Sequence, residues 1–322
     1  MIIARVPLRL EFLGGSTDIA SFYKRYPGHI LNTTIDKYIY VIVKSAPGRG
    51  VTLVHEKTER VSDRDKLTHA RTRAVLTHFG LRNGVEIISL SDVFGGSGLG
   101  SSSAFVVGLV QALAVYTGRR MSKRAIAELA AHIEINVLGE PIGKQDHYAA
   151  AFGGLTVTTY QKNGFVDVQP IRLPPKIMEA LQNHLLLFYS GEKRSASKIL
   201  RSQSKQNKEN FSYLVQMSDI VEPATKALKR GNLKRFAEYL FEEWTIKKNL
   251  SSGVTTRKLE DMYATAVRAG AWGGRVSGAG GGGFIFFFAP PSRHAAIRKA
   301  LKNYEEFPLR FTEEGSEVLY SS

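Results

Sequence analysis

A glycine-rich turn between a strand and an apolar helix constrains this chain more than any other feature. The run GVEIISL, from Gly84 to Leu90, reads as a strand. SSSAFVVGLVQALAVYTG, from Ser101 to Gly118, reads as a buried helix with a glycine stop. GGSGLG, from Gly95 to Gly100, therefore joins a strand to a helix, whereas a linker would lead into polar chain. A turn of this kind leaves the N–H groups of the first helical turn unpaired at Ser101 to Ser103. Those groups and the helix dipole attract anions, and glycine lets the backbone approach a phosphate closely. A tight turn with ordinary serine capping is the competing explanation.

Two phosphate-loop types can be tested by position. Gly95 and Gly100 have the spacing of a Walker A loop, but Ser101 stands where its lysine belongs. A dinucleotide fingerprint begun at Gly96 or at Gly98 meets serine at its third glycine. What remains is a third kind of cradle, with serine hydroxyls available to Mg²⁺.

The rest of the chain mixes strands and helices, which predicts an α+β fold. IIARV, HILNTTI and YIYVIV read as early strands. MSKRAIAELAAHIEINVLG reads as a helix with Ser122 as N-cap and Ile126, Leu129, Ile133 and Val137 on one stripe. GLTVTTYQ and VDVQPIRL are further strands, and Pro174 and Pro175 suggest a boundary between a domain at 1–174 and another at 175–322. The second half reads as mainly helical to about Gly270. GGRVSGAGGGGFIFFFAPP then supplies a glycine turn and a strand, and a last helix starts near Ser292.

With 322 residues the chain can bury a sizeable core. With no cysteine it has no disulfides, thiolate metal sites or cysteine nucleophile. No apolar run approaches the ~18 residues of a membrane span, and the start lacks the zones of a signal peptide, so a cytoplasmic protein is expected. Lysines and arginines number 44 against 29 acidic residues, a net charge of +15. That excess favours an anionic partner: nucleic acid, a membrane surface or a phosphorylated small molecule. It is scattered, densest in GEKRSASKILRSQSKQNK, and no zinc-finger or RRM-type signature accompanies it.

Chemistry on a magnesium nucleotide needs a carboxylate near the metal and a group that positions or deprotonates the acceptor. Glu134 sits at the margin of an apolar helix face and Asp146 in a glycine-flanked turn. A surface glutamate and a helix N-cap are the alternatives. Arg9, between Leu8 and Leu10 in a strand, calls for a buried acid or phosphate, and Asp18 follows a glycine turn.

RVPLRLEFLGGSTD, GGSGLGSSSA, GKQDHYAAAFGG and RVSGAGGGGF occur in that order across nearly the whole chain. Together they resemble the motifs of the GHMP kinases, the superfamily of galactokinase, homoserine kinase, mevalonate kinase and phosphomevalonate kinase. The opening PLR with GGSTD, and WTIKKNLSSGV, look most like the sugar-1-kinase branch, above all heptose 7-phosphate kinases. This resemblance implies an N-terminal domain like ribosomal protein S5 domain 2, a ferredoxin-like C-terminal domain, and ATP and sugar bound between them. It implies that Gly96, Ser97, Gly98, Leu99, Gly100, Ser101 and Ser102 wrap the triphosphate. Ser102 and Glu134 would hold Mg²⁺, Asp146 would face the attacking hydroxyl, and Arg9 would pair with Asp146. Gly15, Ser16, Thr17 and Asp18 would meet the sugar, and Gly278, Gly280 and Gly281 would brace the phosphate cradle.

Two departures stand out: SDVFGG lacks the proline common before the family's loop, and GEKRSASKIL is charged where smaller residues are usual. A substrate already carrying a phosphate would explain part of the basic excess. Arg194, Lys198 and Lys247 are candidate contacts, with a solvated helix face as the alternative. The expected reaction is ATP-dependent phosphorylation of an anomeric hydroxyl. Fucose-type kinases, mevalonate-type alcohol kinases and a nucleic-acid-binding S5-like protein are the rivals. Glu134, Asp146 and the serine loop argue against nucleic acid, since a binding module has no need of them.

Overall fold

The structure, a computed structural model, describes residues 1–192, 199–201 and 210–322. Two long antiparallel strands form its spine, β1 (Ile2–Leu13) and β2 (Gly28–Ser45). HILNTTI and YIYVIV thus form one strand rather than two. Register shifts at Pro7/Leu8 and Glu11/Leu13 let so long a ribbon twist. The first half of β2 pairs with β6 (Thr156–Tyr160), and its second half with β5 (Val85–Ser91). β3 (Val51–Val54), β4 (Thr58–Val61) and β7 (Val166–Pro170) extend the sheet on either side.

Every residue of β1 from Val6 to Leu13 is buried, because both faces of the strand are covered. A strand buried on both faces carries its polar side chains into the interior, which is how Arg9 and Glu11 reach the site. The apolar helix foreseen after the glycine loop is α3 (Ser101–Tyr116), packed on β1 and β2 after the short α1 (Ala20–Tyr23) and α2 (Ala70–His78). α4 (Lys123–Ala131) opens on Ser122, whose hydroxyl accepts from the Ala125 amide at 3.2 Å. It runs on into a π-turn at His132–Val137 that carries Glu134, and α5 (Gln145–Phe152) follows.

A second, four-stranded antiparallel sheet is built from β8 (Leu185–Tyr189), β9 (Gly273–Val276), β10 (Phe284–Phe288) and β11 (Glu305–Glu306). With it go α6 (Pro175–Asn183), α7 (Phe211–Lys229), α8 (Leu233–Lys247), α9 (Arg257–Arg268) and α10 (Pro291–Ala300). β8 lies in the stretch read as mainly helical, because a run as short as LLLFY has no periodicity that separates strand from buried helix. The division at residue 174 also needs correction. The chain returns to the first sheet, where β12 (Phe311–Thr312) pairs with β2 and β13 (Glu317–Ser321) with β1. The tail therefore seals the edge of β1, an edge that would otherwise be left open. Among the described residues no helix is long and apolar enough to cross a membrane.

Candidate active site

The glycine loop ends at Gly100, which adopts φ 81°, and α3 begins with no side-chain cap. Its first amides open onto a cavity of about 260 Å³ lined by Gly96, Gly98, Gly100 and Ser101–Ser103. Ser97 and Leu99 alternate with these glycines and turn the other way, both fully buried. Only part of the run from Gly96 to Ser102 therefore faces the cavity. Leu99 instead supplies its carbonyl to the Arg9 amide at 3.1 Å.

Arg9 donates from Nε to Asp146 Oδ1 at 2.7 Å and from Nη1 to the Gly98 carbonyl at 2.6 Å. The cradle and the carboxylate are thus held by one guanidinium. Asp146 stands in the first turn of α5 with its side chain 24% exposed, so it keeps access to the cavity. Asp18 lines the same cavity and accepts from the Gln145 amide at 2.7 Å. Burial drives its carboxyl up to about 7, with Asp146 and Glu11 adding to the rise against that amide bond. Gly143 has to be glycine here, because a Cβ would overlap the Asp18 carboxylate.

The turn before Asp18 divides into contact and support. Ser16, at φ 72°, lines the cavity. Thr17 is fully buried, and its hydroxyl lies 2.7 Å from the Gly14 carbonyl and 3.1 Å from that of His29. Gly15 leaves room for the Glu11 carboxylate, which a Cβ would overlap. Thr17 and Gly15 therefore shape the turn and do not present a side chain to a sugar.

Glu134 is fully buried, its Oε1 2.6 Å from Arg71 Nε and 3.4 Å from the Ser102 hydroxyl, its Oε2 2.8 Å from His147 Nε2. Burial pushes its carboxyl up, but His147 and Arg71 outweigh that and hold it at about 2. It is no surface glutamate. Ser102 and Glu134 offer hard oxygen donors, and among the described residues no group of three or more His, Cys, Asp or Glu could hold a metal. That donor set fits Mg²⁺, which takes one or two protein oxygens and completes its shell with phosphates and water.

Lys247 is 1% exposed, which excludes a solvated face. Its ammonium meets Glu11 Oε1 at 3.3 Å and donates to the Gly278 carbonyl at 2.8 Å. Burial and Arg275 lower it to about 8 in spite of Glu11 and Glu243. A cation buried so deeply needs those partners, so Lys247 lines the cavity with its ammonium already paired. Arg275 bridges Glu11 and Glu243, and Glu243 accepts from the Gly14 amide at 2.8 Å. Although burial opposes it, the combined field of Lys247, Arg275 and Arg9 holds Glu11 at about 2. Arg194 and Lys198 lie outside the described residues.

The late glycine segment meets the cradle through its flanks. Ser277 donates to the Gly98 carbonyl at 2.9 Å and the Phe284 amide to the Ser97 carbonyl at 3.1 Å. A Cβ on Gly283 would come within 2.5 Å of the Ser97 carbonyl. Gly278 lines the same cavity and its carbonyl accepts from Lys247, whereas Gly280 packs on Val254 and the Gly281 amide donates to the Val254 carbonyl at 2.7 Å. On the far side of the loop a second cleft of about 1110 Å³ shares Gly96, Ser101, Ser102 and Arg71 with the first cavity. Residue reading missed Arg71, His147, Glu11, Gln145, Glu243 and Arg275. Glu11 had a signal, since it lies two residues from Arg9 on the same strand face. Arg71, in THARTRAV, had none.

A glycine cradle at an uncapped helix, joined by one arginine to an aspartate in a cleft, has the parts that phosphoryl transfer needs. The family models agree: GHMP kinases N terminal domain matches residues 67–154 and GHMP kinases C terminal matches 224–306. The chain belongs to the GHMP kinase family and is an ATP-dependent phosphotransferase. Over nearly its whole length it is similar to the D-glycero-alpha-D-manno-heptose 7-phosphate kinase of Campylobacter jejuni subsp. jejuni serotype O:2. The two are 33% identical across 98% of this chain and 97% of the relative. Its structure is similar to the crystal structure of a D-glycero-D-manno-heptose 1-phosphate kinase from Bacteroides thetaiotaomicron, with a TM-score of 0.84, 25% identity and all of both chains covered. Lactococcus lactis galactokinase complexed with galactose shares the fold, with a TM-score of 0.77 at 18% identity over 98% of this chain and 94% of that one.

Proposed function

We propose that this kinase transfers the γ-phosphoryl group of ATP to the anomeric hydroxyl of a heptose 7-phosphate, giving the 1,7-bisphosphate. The observation that carries the reading is the Arg9 clamp, which sets the Asp146 carboxylate against the mouth of the phosphate loop. An acceptor hydroxyl placed there lies between a carboxylate able to take its proton and the amides facing the phosphates. Asp18, on the same cavity wall, is placed to receive further sugar hydroxyls. The similarity to the Campylobacter heptose 7-phosphate kinase supports the choice of sugar. Mg²⁺ would be held by Ser102 and Glu134 and would supply charge neutralisation on the phosphates.

Arg9 keeps Asp146 oriented through the transfer, and the buried floor of Glu11, Lys247 and Arg275 keeps the cavity wall rigid. A coupled assay of ADP release over hexoses, heptoses and their phosphates tests the proposal. The expected outcome is kcat/KM for heptose 7-phosphate at least about 10²-fold above that for the unphosphorylated heptose, since a phosphate contact made by charged donors has that order of value. Equal values for the two, or preferred turnover of mevalonate, would overturn the assignment.

A further inference from the structure

A loop without a Walker lysine leaves open which side chain, if any, meets the nucleotide's phosphates. The described cations lining the two clefts are Arg9, Lys57, Arg71 and Lys247. Arg9 is committed to Asp146 and Gly98, and Lys247 is buried against Glu11 and Gly278. Lys57 lines only the outer cleft. Arg71 alone of these lines both, at the place where the clefts share Ser101 and Ser102 at the start of α3.

The Arg71 guanidinium is well placed and incompletely used. Nε donates to Glu134 at 2.6 Å and Nη2 to Glu140 at 3.1 Å, while among the described residues Nη1 has no hydrogen-bond partner. The side chain is 26% exposed, so it reaches the cleft without being sealed in it. Its base is fixed, because His69 caps α2 by accepting from the Thr72 amide at 3.3 Å. A chain of phosphates running from the outer cleft along the loop toward Asp146 has to pass this guanidinium.

We propose that Arg71 is the phosphate-binding cation of this site: it replaces the missing loop lysine, its Nη1 edge taking a phosphate oxygen while Nε holds Glu134. The role rests on the nucleotide-binding reading above and deepens it. A guanidinium on α2 suits the task because its planar fork can serve a carboxylate on one edge and a phosphate on another. Glu140 is then a restraint that compensates part of the arginine's charge when no phosphate is present.

The test is calorimetric titration of the intact protein with ADP in EDTA, where no metal contributes. Arg71→Gln is expected to weaken ADP binding about tenfold or more, the value of a charge-assisted contact. Glu140→Gln is expected to tighten it by about two- to threefold, because it removes a competing anion. Opposite signs at two touching residues cannot come from a shared loss of structure. An Arg71→Gln affinity within twofold of wild type would overturn the inference, as would a Glu140→Gln protein that binds ADP no better than wild type. If Arg71→Gln does not fold, the Glu140→Gln titration decides alone. Failure of the wild type to bind ADP even with Mg²⁺ would instead overturn the nucleotide site itself.

Discussion

Arg9 divides its guanidinium between the Asp146 carboxylate and the Gly98 carbonyl, so the proposed proton acceptor and the glycine loop share one support. Removing the carboxylate's charge while keeping its shape isolates its chemistry. Asp146→Asn is expected to lower kcat by about 10² or more with little change in KM for ATP, the loss typical of a missing general base. Steady-state kinetics with both substrates varied would check this, and near-normal turnover would remove Asp146 from the reaction. Asp18 makes a prediction in pH. Burial lifts its carboxyl to about 7, so it is largely protonated at pH 6 and largely ionised at pH 8. The ionised form accepts more sugar hydroxyls, so KM for the sugar should fall as pH climbs through about 7, and Asp18→Asn should flatten that profile. For stability the sign is opposite. A folded carboxyl raised above its unfolded value binds its proton more tightly in the native state, so stability is lost as pH rises from about 4 to about 7.

The elements around the loop show why glycine and serine are fixed at particular places. Gly283 faces the Ser97 carbonyl at the contact between the two glycine segments, and it already has φ 77°. Gly283→Ala is expected to displace the loop and raise KM for ATP by about tenfold or more, with the sugar's KM less affected. Ser102 points toward Glu134, whereas Ser103 is buried in α3. Ser102→Ala should therefore impair use of Mg–ATP more than Ser103→Ala, and the difference should be largest at limiting Mg²⁺. The loop and its helix were legible because glycine, strand pattern and apolar helix all point the same way within about 30 residues. β8 was not, since LLLFY is too short to show a period, and neither was Arg71, whose partner Glu134 is brought to it only by the tertiary fold.

At the scale of the molecule, β1 meets α8 and β9 of the second half through Glu11, Arg275, Glu243 and Lys247, all buried at the cavity. Partners drawn from residues 11 to 275 cannot be matched by sequence spacing, which is why this cluster stayed hidden while Arg9, close to it in the chain, signalled a buried charge. Arg275→Met would leave Glu243 buried without its ion-pair partner and Glu11 with Lys247 alone, and is expected to cost about 3–5 kcal/mol, seen as a large fall in Tm. A melting temperature unchanged from wild type would mean that the cluster does not hold the halves together. The proposed reaction delivers a phosphoryl group from ATP to one hydroxyl of the sugar. The most direct test is two-dimensional ¹H–³¹P correlation NMR of the product formed from ATP and heptose 7-phosphate. The predicted result is a new phosphorus signal coupled to the anomeric proton; coupling to a proton on any other carbon, or ATP consumption with no new sugar phosphate, would contradict it.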